Sequence, residues 1–238
     1  MIDLLKKYAA KLVASGLCKA HEPLFAALDD ELVWNRKGDA RQPLLRGVLE
    51  RLNISALLIA RPAGVYQAAL AELAREAVAD GTRSITPGDC ETRTFLHDLP
   101  VVDELSPEAI AGALSHRKGC VILTSGEEGG EAHVAAYGTV SPEQAYVTFS
   151  SLCFAGFVAY FANYIRLLRT TGVTTGITRD QRAAFARVAA LLPQDRAEDP
   201  GLMPGPFADE DTARAAIIEA GAKTVEYGLV DSYFGNIS

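Results

Sequence analysis

The sequence feature that most constrains the fold is a stretch without charged side chains, residues 144–165. The tetrapeptide at its start, Ser141-Pro142-Glu143-Gln144, is typical of a helix N-terminus. The Ser hydroxyl can accept an early backbone N–H, Gln144 can reach back to the cap, and proline needs no N–H there. Large apolar residues occur on almost every side of this predicted helix: Tyr146, Val147, Phe149, Leu152, Phe154, Phe157, Val158, Phe161 and Ile165.

A helix that is apolar all round lies either in the centre of a protein core or in a membrane. The uncharged run just reaches the roughly 20 residues that a membrane span requires. It also contains Thr148, Ser150 and Asn163, and it directly follows a predicted β-hairpin. These features favour a buried helix packed on a sheet. The membrane alternative requires this helix to face lipid, and solubility without detergent would exclude it.

The hairpin before this helix consists of a strand at 120–124, an acidic, Gly-rich turn at 125–131 and a strand at 132–137. Helical or strand-like periodicity also marks segments upstream: helices at 3–17, 43–53, 66–79 and 107–114, a strand at 54–60 and a possible short strand at 31–35. Because helices and strands alternate and a hairpin is present, the sequence predicts an α/β domain with a partly antiparallel sheet.

The composition of the chain limits its possible partners and its cellular compartment. The net charge is −7 and no dense basic cluster occurs, so nucleic acid is disfavoured as a partner. The four cysteines are far apart and lie mostly in apolar segments, and the N-terminus lacks a secretory pattern, so we expect a cytoplasmic protein with reduced thiols. No phosphate-binding or dinucleotide motif occurs in the sequence, and no cofactor is predicted.

The densest polar patch lies at residues 89–98. Its candidate catalytic residues are Glu91, Arg93, His97 and Asp98, which would provide a carboxylate, an anion clamp and a general acid or base. An extended segment would place Glu91, Arg93 and His97 on one face. The alternative is an ion-paired loop in which Arg93 binds neighbouring carboxylates.

The two ends of the sequence share a pattern. Ala10-Lys11, Val13 and Gly16-Leu17 recur at constant spacing as Ala222-Lys223, Val225 and Gly228-Leu229. The second occurrence continues through Val230 to Gly235-Asn236-Ile237-Ser238. This ending resembles the opening of the class II aldolase/adducin family, in which the loop helps to bind the substrate phosphate. The resemblance implies phosphate-binding roles for Gly235, Asn236 and Ser238.

Further motifs extend the resemblance over most of residues 4–165: Gly16-Leu17, the strand into Arg61-Pro62, Leu99-Pro100-Val101-Val102, Leu123-Thr124-Ser125-Gly126 and Gly138-Thr139-Val140-Ser141-Pro142-Glu143-Gln144-Ala145. It implies a three-layer α/β/α domain with a mixed, largely antiparallel sheet at residues 1–170. A helical, Pro/Gly-rich extension would follow at 171–208, and the start of a second aldolase-like copy at 209–238.

The zinc ligands of that family have no counterparts here. Ile59 and Arg61 stand where the resemblance places the first two zinc histidines, and Ser125 stands where it places the third. An aliphatic group, a fixed cation and a neutral hydroxyl cannot replace imidazoles around Zn²⁺. We therefore predict no metal site.

These observations lead to two hypotheses about function. The first is a non-catalytic assembly or regulatory portion of a larger aldolase-like protein, whose partner is another copy of the chain or a second aldolase-like domain. The alternative is an aldehyde-lyase-type or other enzyme that acts on a small phosphorylated or carboxylated metabolite through residues 89–98. Neither hypothesis involves nucleic acid or a membrane.

Overall fold

The computed structural model describes residues 1–87, 90–125, 130–171 and 179–189. The chain divides into two compact units, Met1–Gly156 and a second that begins at Phe157. Its helices are α1 (Ile2–Ala14), α2 (Gln42–Leu49), α3 (Gly64–Ala79), α4 (Cys90–Leu96), α5 (Pro107–Leu114), α6 (Pro142–Thr171) and α7 (Arg179–Ala189). Its strands are β1 (Leu24–Leu28), β2 (Leu32–Trp34), β3 (Ala56–Ala60), β4 (Ser84–Ile85), β5 (Leu99–Val102), β6 (Gly119–Thr124) and β7 (Glu131–Gly138).

The first unit is built on a seven-stranded sheet with the strand order β2-β1-β3-β7-β6-β5-β4. Only β5 and β6 pair in parallel, and every other neighbouring pair is antiparallel. The predicted mixed, largely antiparallel sheet is therefore confirmed. The three central strands β3, β7 and β6 carry almost wholly buried side chains, since helices cover both faces.

One face of the sheet packs against α2 and α5. Alternate strand residues supply this face, among them Leu57 and Ile59 of β3 and Ala135 of β7, and they form one apolar cluster with Leu45 of α2 and Ile110 of α5. Ser106 caps α5, because its hydroxyl accepts a hydrogen bond from Ala109 N–H at 3.2 Å. The charged residues at the ends of β3 and β7 lie on this same face.

The opposite face packs against α1, α3 and the first half of α6. Ala145, Phe149, Leu152 and Cys153 of α6 are completely buried, at the spacing of one helix face. Two glycines allow close approach. A Cβ on Gly156 of α6 would lie 2.2 Å from Leu70 of α3, and a Cβ on Gly119 of β6 would lie 2.9 Å from Leu152.

Helix α6 begins where the sequence predicts. The side-chain amide oxygen of Gln144, Oε1, accepts hydrogen bonds from the Thr139 hydroxyl and the Val140 N–H, both at 3.1 Å. Gln144 therefore reaches back slightly beyond Ser141, the predicted cap residue. Among the described residues one stretch, Pro142–Asn163, is long and apolar enough to cross a membrane, and 61% of its most apolar window is buried inside the protein.

The second unit is described over the end of α6 and over α7. Phe185 of α7 stacks with Tyr160 at 6.4 Å between ring centroids and meets Phe161 edge-on at 5.7 Å. Phe157 lies one turn before Phe161, with 4.7 Å between the ring centroids. Aromatic pairs of this geometry bury large areas of ring surface, so this helix pair has its own apolar contact.

Two segments differ from the sequence expectations. Between the first two predicted helices the sequence predicts only a possible short strand at 31–35, but β1 also lies there. Its residues 24–27 are all buried and so lack an alternating pattern, and Leu28 at its end is exposed. Most of the polar patch at 89–98 forms helix α4 rather than an extended segment. Helical geometry turns alternate residues to different sides, so the extended arrangement of Glu91, Arg93 and His97 is not formed.

Candidate functional site at the end of the central strands

Arg61, directly after β3, is the centre of a charged group on the α2/α5 face of the sheet. Its guanidinium donates to Glu131 Oε1 at 2.5 Å and to Glu22 Oε1 at 3.1 Å. Glu131 begins β7 on one side of β3, and Glu22 precedes β1 on the other. The Arg61 side chain is 31% exposed, so its ion pairs are partly shielded from solvent at the edge of the apolar core.

A second set of charges continues this group toward the start of α2. Asp39 Oδ1 accepts from Arg41 Nε at 3.0 Å and from Arg41 N–H at 2.9 Å, while Asp39 Oδ2 accepts from Arg41 Nη2 at 2.9 Å and from Arg36. Arg41 also lies 3.8 Å from Glu22. We call Glu22, Arg36, Asp39, Arg41, Arg61 and Glu131 the arginine network.

The arginine network shapes the ionisation of Asp39. Hydrogen bonds from Arg41 hold the pKa of the Asp39 carboxyl far below its usual value, and the contact with Arg36 acts in the same direction against partial burial. The three arginines are balanced by three carboxylates. The group is therefore neutral in sum, and each guanidinium is bound to a carboxylate.

His133 of β7 completes the site. The ladder pairs Ala60 with Val134, so the next position places Arg61 beside His133 on the same face. Its Nδ1 atom is buried and has no hydrogen-bond partner among the described residues. Burial lowers the pKa of His133, as do Arg61 and Arg41, whereas Glu131 and Glu22 act to raise it.

The residues at the expected zinc positions do not suit the metal. Ile59 is buried in the apolar cluster at 2% exposure, and the guanidinium of Arg61 is bound to two carboxylates. Ser125 is exposed beyond the end of β6. The described part of the chain contains no group of three or more His, Cys, Asp or Glu residues that could hold a metal ion. Since zinc requires nitrogen, sulfur or carboxylate donors, this donor set does not fit it.

The candidate catalytic residues of the 89–98 patch have local partners. Arg93 donates to Pro87 O at 3.2 Å, and Asp98 accepts from Ser84 Oγ at 2.7 Å and from Arg117 Nε. Partial burial opposes ionisation of Asp98, but these hydrogen bonds outweigh it and lower the pKa of this carboxyl. The catalytic role of the patch stays a prediction.

His97 is exposed and follows α4 with φ +66°, a left-handed conformation that histidine adopts more readily than most residues. This conformation ends the helix and turns the chain into β5, so it has a structural reason. The side chain of Glu91 lies outside the described part of the structure. The described side chains of the patch therefore include no contact that brings Arg93, His97 and Asp98 to one point.

A cavity of about 340 Å³ opens between α1 and the chain that flanks β1 and β2. Ala10 and Val13 of α1 line one wall, and His21, Asn35 and Arg36 lie at the other. Of the candidate catalytic residues whose side chains the structure describes, Arg93, His97 and Asp98, none lines this cavity. The surface is mainly apolar, and Arg36 is already bound to Asp39, so the cavity offers few polar groups that would orient a ligand.

Cysteine chemistry is also disfavoured at the described positions. Cys18, Cys120 and Cys153 are free and buried, as expected for three of the four cysteines. Burial raises the pKa of Cys18 and of Cys120 to about 12, with a further contribution from Glu22 at Cys18. Because the thiolate is the reactive form, these thiols are poor nucleophiles.

Comparison with known proteins supports the fold. No protein-family model matches the sequence, and no curated protein matches it. Among solved structures, the l-fuculose-1-phosphate aldolase from Thermus thermophilus aligns with a TM-score of 0.50 and 19% identity, over 71% of this chain and 96% of that one. A second structure, an L-fuculose 1-phosphate aldolase, aligns with a TM-score of 0.48 and 11% identity, over 79% of this chain and 94% of that one.

The first of these likenesses, together with the mixed seven-stranded sheet between helices, defines a class II aldolase-like α/β fold. The fold implied by the sequence resemblance is thus confirmed. The tandem arrangement and the boundaries 1–170, 171–208 and 209–238 stay predictions. Gly235, Asn236 and Ser238 lie outside the described residues.

Arg61 is recognisable from the sequence as a departure from the zinc-ligand pattern, but its partners Glu22 and Glu131 are not. Glu131 and His133 alternate with buried residues along β7, which is the signal that places them on one face with Ala135. Glu22 and Asp39 carried no comparable signal, because they lie in irregular segments whose positions depend on tertiary contacts.

Proposed function

We propose that this chain is a non-catalytic assembly or regulatory portion of a larger aldolase-like protein. The observation that carries the proposal is the bonding of Arg61 to Glu22 and Glu131. The resemblance to class II aldolases places a zinc histidine at this position. A guanidinium bound to two carboxylates stands at this position, and it has no lone pair with which to ligate a metal.

The chemistry of the fold explains why this exchange removes catalysis. A zinc ion in such a site acts as a Lewis acid that polarises a carbonyl and stabilises the enediolate formed when a carbon–carbon bond breaks. Arg61 carries charge, but that charge is neutralised by two carboxylates within hydrogen-bond distance. A substrate carbonyl would have to displace one of them, so the residues at this position supply no electrophile.

The partner that we propose is another copy of the chain or a second, zinc-bearing aldolase-like domain. Nucleic acid is not proposed, since the net charge of −7 would repel its phosphates. We also propose a cytoplasmic location and no membrane partner. The burial of most of the apolar window of α6 supports the latter.

A direct assay tests the absence of catalysis. The purified chain is incubated with zinc and L-fuculose 1-phosphate, and substrate loss is followed by NMR, with the Thermus thermophilus enzyme as positive control. We expect no cleavage above that in buffer. Cleavage that EDTA abolishes would contradict the proposal.

A second assay separates the proposal from the alternative enzyme hypothesis. A panel of small phosphorylated and carboxylated metabolites is screened with the wild type and with Arg93→Ala and His97→Ala. Turnover that both substitutions abolish in folded protein would establish the alternative.

Sedimentation of the wild type tests assembly, and we expect an oligomer or a complex with a zinc-bearing aldolase-like domain.

A further inference from the structure

Strand β2, Leu32–Trp34, forms one edge of the seven-stranded sheet. It pairs with β1 on one side, and the described part of the chain places no strand on its other side. Its three side chains are half-buried rather than covered. A free strand edge presents unpaired N–H and C=O groups, and these can bind a strand of another chain.

The hydrogen bonds between β1 and β2 show which residues of β2 point outward. The Asn35 N–H donates to Phe25 O of β1 at 3.2 Å. Along an antiparallel strand, successive residues direct their main-chain groups to alternate sides, so Val33 also faces β1. Leu32 and Trp34 therefore direct their N–H and C=O groups away from β1, toward the free edge.

Charges of opposite sign lie at the two ends of β2. Three acidic residues precede the strand and two basic residues follow Asn35: Asp29, Asp30 and Glu31 at the first end, Arg36 and Lys37 at the second. Edge strands that avoid pairing commonly carry charges that repel a second copy. Here, an antiparallel pair of two identical strands would bring the acidic end of each copy to the basic end of the other.

We propose that β2 is a self-pairing edge, at which two copies of this chain join antiparallel about a two-fold axis beside Val33. The sheets of the two copies then continue into one another. The inference names a surface for the assembly role proposed above and rests on that role in taking a second copy as the partner. A parallel arrangement is disfavoured, since it would place like charges together at both ends of the strand.

The proposed axis matches the outward-directed groups of the strand. With Val33 opposite Val33 of the second copy, Leu32 of each chain exchanges both main-chain hydrogen bonds with Trp34 of the other. Leu32 and Trp34 share one face, where both pack against the α2/α5 apolar cluster, so each covers its counterpart across the new ladder. Two strands of three residues form a small contact, so the dimer should dissociate on dilution.

The first test is a disulfide cross-link in the full chain. At the axis the two Val33 Cα atoms would lie about 4.5 Å apart, as in other pairs without main-chain hydrogen bonds, and a disulfide can span this distance. We expect oxidised glutathione to convert most of Val33→Cys to a covalent dimer, seen on a non-reducing gel and reversed by dithiothreitol. Val147→Cys is the matched control, because Val147 is 42% exposed and lies on α6, outside the edge. The wild type measures any cross-linking through the native cysteines.

The second test exchanges charges at the ends of β2. Asp29 and Lys37 are both exposed, so their substitution leaves the core intact. Lys37→Glu and Asp29→Lys each set like charges together twice in a symmetric dimer, so each variant alone should raise the dissociation constant about tenfold at low salt. In an equimolar mixture of the two variants every facing pair again has opposite charges, so the mixture should dimerise as the wild type does. Sedimentation velocity over a concentration series measures both effects.

The outcomes are decisive in each direction. Cross-linking of Val33→Cys well above Val147→Cys, together with recovery of the dimer in the mixture, supports the self-pairing edge. A wild type that stays monomeric at every concentration overturns it. An oligomer in which Val33→Cys cross-links no better than the control also overturns it, while the proposed assembly role remains. Cleavage of L-fuculose 1-phosphate would contradict the proposed function and would leave the dimer unaffected.

Discussion

The arginine network and the polar patch at 89–98 contain the same kinds of side chain but arrange them differently. In the network, Glu22, Arg61 and Glu131 come from segments joined by the ladders of β1, β3 and β7, so their charged ends meet. In the patch, Arg93 and Asp98 lie near each other in sequence, yet each binds a different neighbour. Density of charge along a sequence therefore does not predict where charges converge, whereas strand pairing does.

Among substitutions in the two regions, Asp39→Ala is expected to cause the largest loss of stability. The Asp39 side chain is only 9% exposed and accepts hydrogen bonds from both Arg36 and Arg41, so its loss leaves two guanidinium groups without their main partner. Loss of charge-assisted hydrogen bonds at a nearly buried site costs about 2 kcal/mol of unfolding free energy. Urea denaturation followed by circular dichroism measures this change.

Asp103→Ala is the matched control, because Asp103 also forms a two-point pair with an arginine, Arg83, at 2.8 and 2.9 Å. Both of these side chains are about half exposed. Solvent screening makes such pairs nearly neutral, so this variant should unfold at almost the wild-type urea concentration. Equal losses in both variants would mean that the network is no better protected than the surface.

Arg61→Met is expected to cause the second-largest loss of stability. Methionine keeps the apolar stem and removes the charge that Glu22 and Glu131 share. Because Arg61 is 31% exposed, solvent screening reduces the expected loss of unfolding free energy to about 1 kcal/mol. Because carboxylate repulsion is screened by ions, added salt should narrow the gap to the wild type. A gap that widens with salt would contradict the electrostatic account.

In the patch, Asp98→Ala should have a smaller effect. It removes the contacts with Ser84 and Arg117, but Asp98 and Arg117 are each one third exposed. Pairs of this exposure contribute roughly 0.5 kcal/mol. Thermal unfolding at matched pH should place Asp98→Ala between the wild type and Arg61→Met. A loss greater than that of Arg61→Met would reverse the ranking of the two regions.

The smallest expected effect is a pH dependence that arises from His133. Its pKa is lowered in the folded state from the ordinary value of 6.5, so the unfolded chain binds the proton first as pH falls. Stability should therefore be complete above 6.5 and decrease as the pH falls below it. Urea titrations at several pH values should show a shallower decrease for His133→Gln. Identical slopes in the two proteins would exclude His133 as the source.

Much of the fold was predictable because its signals are local. The hairpin of β6 and β7, the Pro142 helix start and the cap of α5 each depend on residues within one turn or one strand. Strand β1 was missed for a physical reason. Residues 24–27 are buried on both faces, so the strand shows no alternation, and its short apolar run has no β-branched residue that would mark it as a strand.

The candidate site was less predictable, because its parts are distant in sequence. Arg61 was recognised as a departure from a zinc-ligand pattern, but its bonds to Glu22 and Glu131 depend on the register of two ladders. The helical conformation of α4 likewise depends on tertiary packing, since Thr92 and Leu96 are buried at 2% exposure each. A pattern of charges cannot reveal which side of a short segment faces the core.

The pairing of β3 with β7 also has a consequence for how the protein folds. The Ser55 hydroxyl binds the carbonyl of Gly138, which lies 83 residues later, and the ladder between these strands is the seam in the middle of the sheet. During synthesis, β1, β2 and β3 can pair early, but the open edge of β3 has no partner until β7 has left the ribosome. A nascent chain therefore carries an unpaired strand edge, and with it a risk of aggregation, during that interval. A chaperone that shields this edge would have to dissociate before the hairpin of β6 and β7 could close the seam.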